Sequence, residues 1–79
     1  MTILMSAADF VKGIDAFHGV LAAGTVEEGY YVNGYYYMAG EDTVRRETVA
    51  EEFETEEAAQ EYAESFAAAI LELHVAQKP

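Results

Sequence analysis

Carboxylates are the most abundant reactive groups in this chain. Seven glutamates fall between positions 51 and 64, with no lysine or arginine among them. Carboxylates work as general acids and bases only in a cleft that shifts their protonation. A chain of 79 residues leaves little room for such a cleft. The run Glu51, Glu52, Glu54, Glu56, Glu57 has the charge for Ca²⁺. It lacks the alternating Asp/Asn spacing and mid-loop glycine of an EF-hand. The only histidines, His18 and His74, are 56 positions apart, and no His-x₃-His, Glu-x-x-His or His-Glu-x-x-His occurs. Ser6 is accounted for as a helix cap, and His18 as a partly buried, hydrogen-bonded residue beside an apolar stripe. There is no cysteine, so disulfides, thiolate metal sites and a Cys nucleophile are excluded together. The expectation is a protein without a catalytic site, metal or cofactor.

The acids are unevenly placed. Residues 1–26 carry two, Asp9 and Asp15, while residues 27–64 carry twelve against only Arg45 and Arg46. Glu57, Glu61 and Glu64 stand at i, i+4 and i+7, which puts them along one side of a helix. Like charges at that spacing cost about 0.2–0.5 kcal/mol per pair. A sequence selected only for solubility would intersperse lysines, as surfaces usually do.

A helix must hold that row, and the sequence supplies one. Thr55 is its N-cap, with Glu56 and Glu57 in the first turn, where the helix dipole favours negative charge. Ala59, Tyr62, Ala63, Phe66, Ile70 and Leu73 form its apolar stripe, and His74 and Lys78 fall near its C-terminal end. A second helix is expected near the start of the chain, capped by Ser6 with Asp9 three residues on. Its stripe is Phe10, Ile14, Phe17 and Leu21, and Gly24 is its C-terminal stop. Gly13 and Gly19 each weaken it by about 1 kcal/mol.

Between the helices lies a tyrosine-rich segment. Tyr30-Tyr31-Val32 and Tyr35-Tyr36-Tyr37 flank Asn33-Gly34, the pair favoured in a two-residue type I′ hairpin turn. That register sets Val32 against Tyr35, Tyr31 against Tyr36 and Tyr30 against Tyr37. One face, with Tyr30, Val32, Tyr35 and Tyr37, then meets the core. The other, with Glu27, Tyr31, Tyr36 and Met38, meets solvent as an exposed patch of the kind that marks interfaces. A third strand is expected within Thr43–Phe53, where the mismatched parity of Val44 against Val49 and Phe53 is reconciled by a bulge or else marks a shorter strand. The fold class is α+β: one domain over residues 1–79, two layers, in the order helix, three-stranded antiparallel meander, helix (αβββα), with both helices on one face of the sheet.

Composition narrows the class. Four basic residues against fifteen acidic ones give a net charge of −11. Such a chain repels nucleic-acid phosphates and anionic lipid headgroups, so direct nucleic-acid or membrane-surface binding is not expected. No basic n-region or long apolar stretch follows Met1–Met5, so no signal peptide is expected. Leu, Ile, Val and Phe make up 18 of 79 residues, above the ~20% level that marks disorder. Six tyrosines add large rings, so a folded core is expected.

In size, net charge, tyrosine-rich segment Tyr30–Tyr37 and glutamate-lined segment Glu51–Glu64, the chain resembles the small acidic phage-encoded anti-CRISPR proteins of the DNA-mimic type. That resemblance implies a non-enzymatic inhibitor in the cytoplasm of a bacterial host. Its partner would be a basic nucleic-acid-binding protein, a CRISPR effector subunit, whose access to DNA is blocked. The partner-binding residues rest on charge position: Glu47, Glu51, Glu52, Glu54, Glu57, Glu61 and Glu64 stand in for phosphates, Glu27 and Glu28 extend the surface, and Tyr31 and Tyr36 anchor it. The alternative is a small acidic protein–protein interaction module, or a homodimeric subunit, without nucleic-acid mimicry.

Overall fold

Ser6 caps a helix, with the Asp9 N–H donating to Ser6 Oγ at 3.1 Å. That helix, α1, spans only Ala7–Lys12 and ends at Gly13. The structure is a computed structural model and describes residues 1–77. Beyond Gly13 the chain turns into a strand, β2 (Ala16–Thr25), so the long N-terminal helix expected from the stripe is corrected. Gly13, Asp15 and Gly19 all fall within its expected span and weaken it. Phe17 and Leu21, four apart, lie on opposite sides of the sheet: Phe17 packs on the core, while Leu21 is 60% exposed.

The remaining strands are β1 (Thr2–Ile3), β3 (Gly29–Tyr37) and β4 (Arg45–Phe53), in an antiparallel sheet ordered β1-β4-β3-β2. The sheet therefore has four strands, not three. Asn33-Gly34 makes no turn and lies mid-way along β3, where Asn33 pairs with Leu21 and Gly34 with Val20. The hairpin turn falls instead at residues 26–28, between Thr25 and Gly29. Gly24 and Gly29 have φ of +123° and +86° there, and Thr25 Oγ1 accepts from the Glu28 N–H at 3.1 Å. The β3–β4 pairing runs Tyr30↔Phe53, Val32↔Ala50, Asn33↔Thr48, so each step spends one extra residue on β4. Both bulges lie beyond Thr48; Val44, whose parity conflicts with Val49 and Phe53, stands outside β4 and is exposed, so the strand is shorter than Thr43–Phe53. The bulges allow Val49 and Ala50, adjacent in sequence, both to be fully buried.

The C-terminal helix, α2 (Glu56–Gln77), starts as its sequence predicts. The Ala58 N–H donates to Thr55 Oγ1 at 3.1 Å. Ala59, Ala63, Phe66 and Ile70 are buried, and Tyr62 and Leu73 pack beside them. Full burial of a side chain such as Phe66 or Ile70 contributes roughly 1.5–3 kcal/mol. α2 packs chiefly on β2 and β3, and α1 packs on α2. Phe10 of α1 meets Tyr36, Phe66 and Phe17 edge-on at centroid distances of 5.4, 5.8 and 6.3 Å. Lys78 lies outside the described residues.

Candidate functional site: an acidic helix side and a tyrosine-bearing sheet face

Glu57, Glu61 and Glu64 project from α2 at helical spacing and are all exposed. With Glu56 and Gln60 they line one shallow surface depression. The described cations are engaged or placed elsewhere. Lys12 Nζ stands 3.8 Å from Asp9. Arg45 forks onto Glu41, with Nε and Nη2 each donating to a carboxylate oxygen at 2.8 Å. The Arg45 hydrogen bond holds the Glu41 carboxyl below its ordinary pKa, and Glu41 in turn raises Arg45. Arg46 shares a depression with Tyr31, Asn33, Thr48 and Glu51. Among the described residues, no cation pairs with a carboxylate of α2.

The other acids expected on one ridge do not all join it. Glu47 lies beside Met5, Phe10, Ile14 and Tyr36, near α1. Glu51 faces Tyr31 and Arg46. Glu52 sits at the β4 bulge with φ of 63°, and its Oε2 accepts from the Thr2 hydroxyl at 2.6 Å. Glu54 is exposed in the bend before α2, and Glu27 and Glu28 are exposed in the β2–β3 turn. The ridge therefore reduces to the α2 row. The strand bulges and the earlier hairpin turn send the remaining carboxylates elsewhere.

The tyrosines divide by strand parity. Tyr30, Val32 and Tyr36 of β3 pack on the core, and Gly34 shares their parity. Tyr31, Asn33, Tyr35 and Tyr37 alternate with them on the other face. Tyr36 is thus a core residue under Phe10, and an exposed patch shared by Tyr31 and Tyr36 does not form. Tyr31 is 37% exposed, as expected. His18, expected to be partly buried and hydrogen-bonded, is exposed, with its ring edge-on to Tyr37 at 5.7 Å. Asn33, 2% exposed, accepts from the Thr48 hydroxyl at 2.7 Å through Oδ1. Reading Asn33-Gly34 as a turn concealed Tyr35, Tyr37, Leu21 and Arg46 as members of this face. No local signal marks them, because tyrosines occupy both parities on either side of Asn33-Gly34.

Among the described residues no three His, Asp or Glu side chains converge as a metal site, and no helix is long and apolar enough to cross a membrane. No family model matches the chain, and no curated protein or solved structure matches it.

Proposed function

We propose that this chain is a non-enzymatic inhibitor that places the α2 carboxylates in the basic nucleic-acid groove of a bacterial defence protein, a CRISPR effector subunit, and blocks its access to DNA in the host cytoplasm. One observation carries the reading. Glu57, Glu61 and Glu64 stand in a row on one helix side, beside Glu56, with no cation paired to them among the described residues. Neighbouring carboxylates at helical spacing are about 5–6 Å apart at Cβ, close enough to replace successive phosphates against Lys and Arg. In this reading both helices cover the same face of the sheet, and α2 turns its polar side outward. Tyr31 adds ring area, and Tyr36 supports the sheet from within.

The test is DNA binding by purified CRISPR effectors, followed by mobility shift. The parent is expected to prevent the shift, with an effect that weakens steeply as salt rises. The E57Q/E61Q/E64Q variant keeps the side-chain shapes and loses the charge, so its inhibition should fall about tenfold or more. Inhibition equal to the parent's would end the proposal.

The second reading, an interaction module without mimicry, is favoured by a different observation. Tyr31, Tyr35 and Tyr37 share one sheet face with the exposed Leu21, a concentration of ring area typical of protein contacts.

A further inference from the structure

We infer that β2 is the seam between two copies of this chain, pairing antiparallel with itself across a two-fold axis to form one eight-stranded sheet. β1 and β2 are the sheet's two edges; β1 has two residues and β2 has ten. An edge strand offers a row of unpaired N–H and C=O groups, and natural edges are guarded by shortness, Pro, Lys or inward charges. β2, with the sequence AFHGVLAAGT, has no Pro and no Asp, Glu, Lys or Arg. Its bulge falls at one end, between Phe17 and Gly19, and leaves Val20–Thr25 in regular register.

Burial points to the same edge. Ala22, Val32 and Ala50 form one row across the sheet. Val32 and Ala50 are fully buried, whereas Ala22 is only half-buried, as are Val20 and Phe17 along β2. The core is therefore incompletely closed along β2. Leu21 on this strand and Leu71 on α2, the helix packed over it, are 60% and 54% exposed.

Charge selects the occupant. Two copies at −11 each repel, so they can meet only where neither brings carboxylates. β2 meets that condition along its length, with Asp15, Glu27 and Glu28 lying just beyond its two ends, whereas β4, which β1 borders, carries Glu51 and Glu52 within the strand. A charge-free strand gives no hold to a basic or acidic peptide, but it is complementary to its own two-fold copy. The regular segment Val20–Thr25 extends about 20 Å, long enough for a run of main-chain hydrogen bonds between the two copies. Residues directly opposite in an antiparallel pair share a face, so the axis passes a residue, Val20 or Leu21 near the middle of the strand. Leu21 lies at the seam in either case.

β2 and the acidic side of α2 are separate surfaces, so the failure of one reading leaves the other standing. Sedimentation equilibrium of the full chain at moderate salt is expected to give about twice the chain mass of 8.7 kDa. Leu21→Glu sets carboxylates near each other across the axis and should weaken the dimer about tenfold or more. Its circular dichroism should be unchanged, because the site is exposed. A parent that stays monomeric at its highest soluble concentration overturns the inference, as does a Leu21→Glu variant that dimerises as tightly as the parent. Amide exchange provides a readout that needs no variant. In the parent, β2 amides should exchange more slowly at high than at low protein concentration; equal rates at both would refute the seam.

Discussion

The Phe10 ring lies directly over Gly34, so that a Cβ built there would come 2.5 Å from Phe10 Cε2 and 2.7 Å from Cζ. Displacing the ring would disturb its packing. The ring is 3% exposed and enclosed by Phe17, Tyr36 and Phe66. In this fold Gly34 serves a close approach of helix to sheet, not a turn. Gly34→Ala should therefore destabilise the chain by about 1–3 kcal/mol through overpacking. An unhindered strand site would instead gain about 0.5–1 kcal/mol from the same change. Phe10→Leu in the Gly34→Ala background should recover part of the loss, a coupling that a double-mutant cycle in urea resolves. Gly34→Ala at parental stability would mean the ring does not sit there.

The position of the hairpin turn can be checked with two other glycines. Gly24 has φ of +123°, and a Cβ on it would lie 2.3 Å from the Gly29 carbonyl oxygen. Gly19 has open space at its Cβ and no positive φ. Gly24→Ala should lose more than about 1 kcal/mol, while Gly19→Ala should be neutral or gain up to about 1 kcal/mol, partly by restricting the unfolded chain. Urea midpoints with unchanged slopes measure both effects. Comparable losses at the two sites would argue against a turn at residues 26–28.

The parts of this fold that were legible in the sequence are those decided within a few residues. Ser6 and Thr55 cap helices because their hydroxyls reach an N–H three residues on. The stripe from Ala59 to Leu73 is long enough for its period to be unambiguous. The parity conflict of Val44 with Val49 and Phe53 is a local fact, and it is met by a strand that begins only at Arg45. What stayed hidden depends on distant partners. Phe10, Ile14, Phe17 and Leu21 fit a helical stripe, yet Phe17 packs on the core from a strand and Leu21 points the other way. Asn33-Gly34 has strong turn chemistry, but Thr48 and Phe10, far away in sequence, hold it in an extended strand. β1 is two residues long and carries no period at all. For the candidate site, the α2 row was legible because Glu57, Glu61 and Glu64 are local to one helix. The wider ridge was not, because strand parity and two bulges decide where Glu47, Glu51 and Glu52 point.

Tyr62 lies against Phe53 and Phe66, at centroid distances of 5.4 and 5.9 Å, and burial raises its phenol pKa above the ordinary value. An acid whose folded pKa is raised loses its proton first in the unfolded chain. Its contribution to stability is complete below the unfolded value near 10 and is lost as pH rises through the folded value. The parent should therefore lose stability more steeply than Tyr62→Phe above about pH 10, as followed by urea midpoints. The highest-pH part of the tyrosinate absorbance titration should disappear in the variant. Superimposable alkaline profiles for the two proteins would show that Tyr62 is solvated.

The α2 carboxylates should act on stability and on binding with opposite signs. Glu57 stands in the first turn, where the helix dipole offsets its repulsion from Glu61. Glu61 and Glu64 lie beyond that turn and have no paired cation among the described residues. E61Q/E64Q removes two like-charge contacts, Glu57 with Glu61 and Glu61 with Glu64, worth about 0.2–0.5 kcal/mol each. Tm should rise by roughly 2–8 °C in a chain of this size. At 1 M salt the Debye length is about 3 Å, so the gain should vanish there. A structural role for these glutamates predicts the reverse, a fall in Tm that salt leaves unchanged. A variant that is more stable at low salt, yet weaker against a basic nucleic-acid-binding partner, is expected if the charge row is kept for contact with that partner.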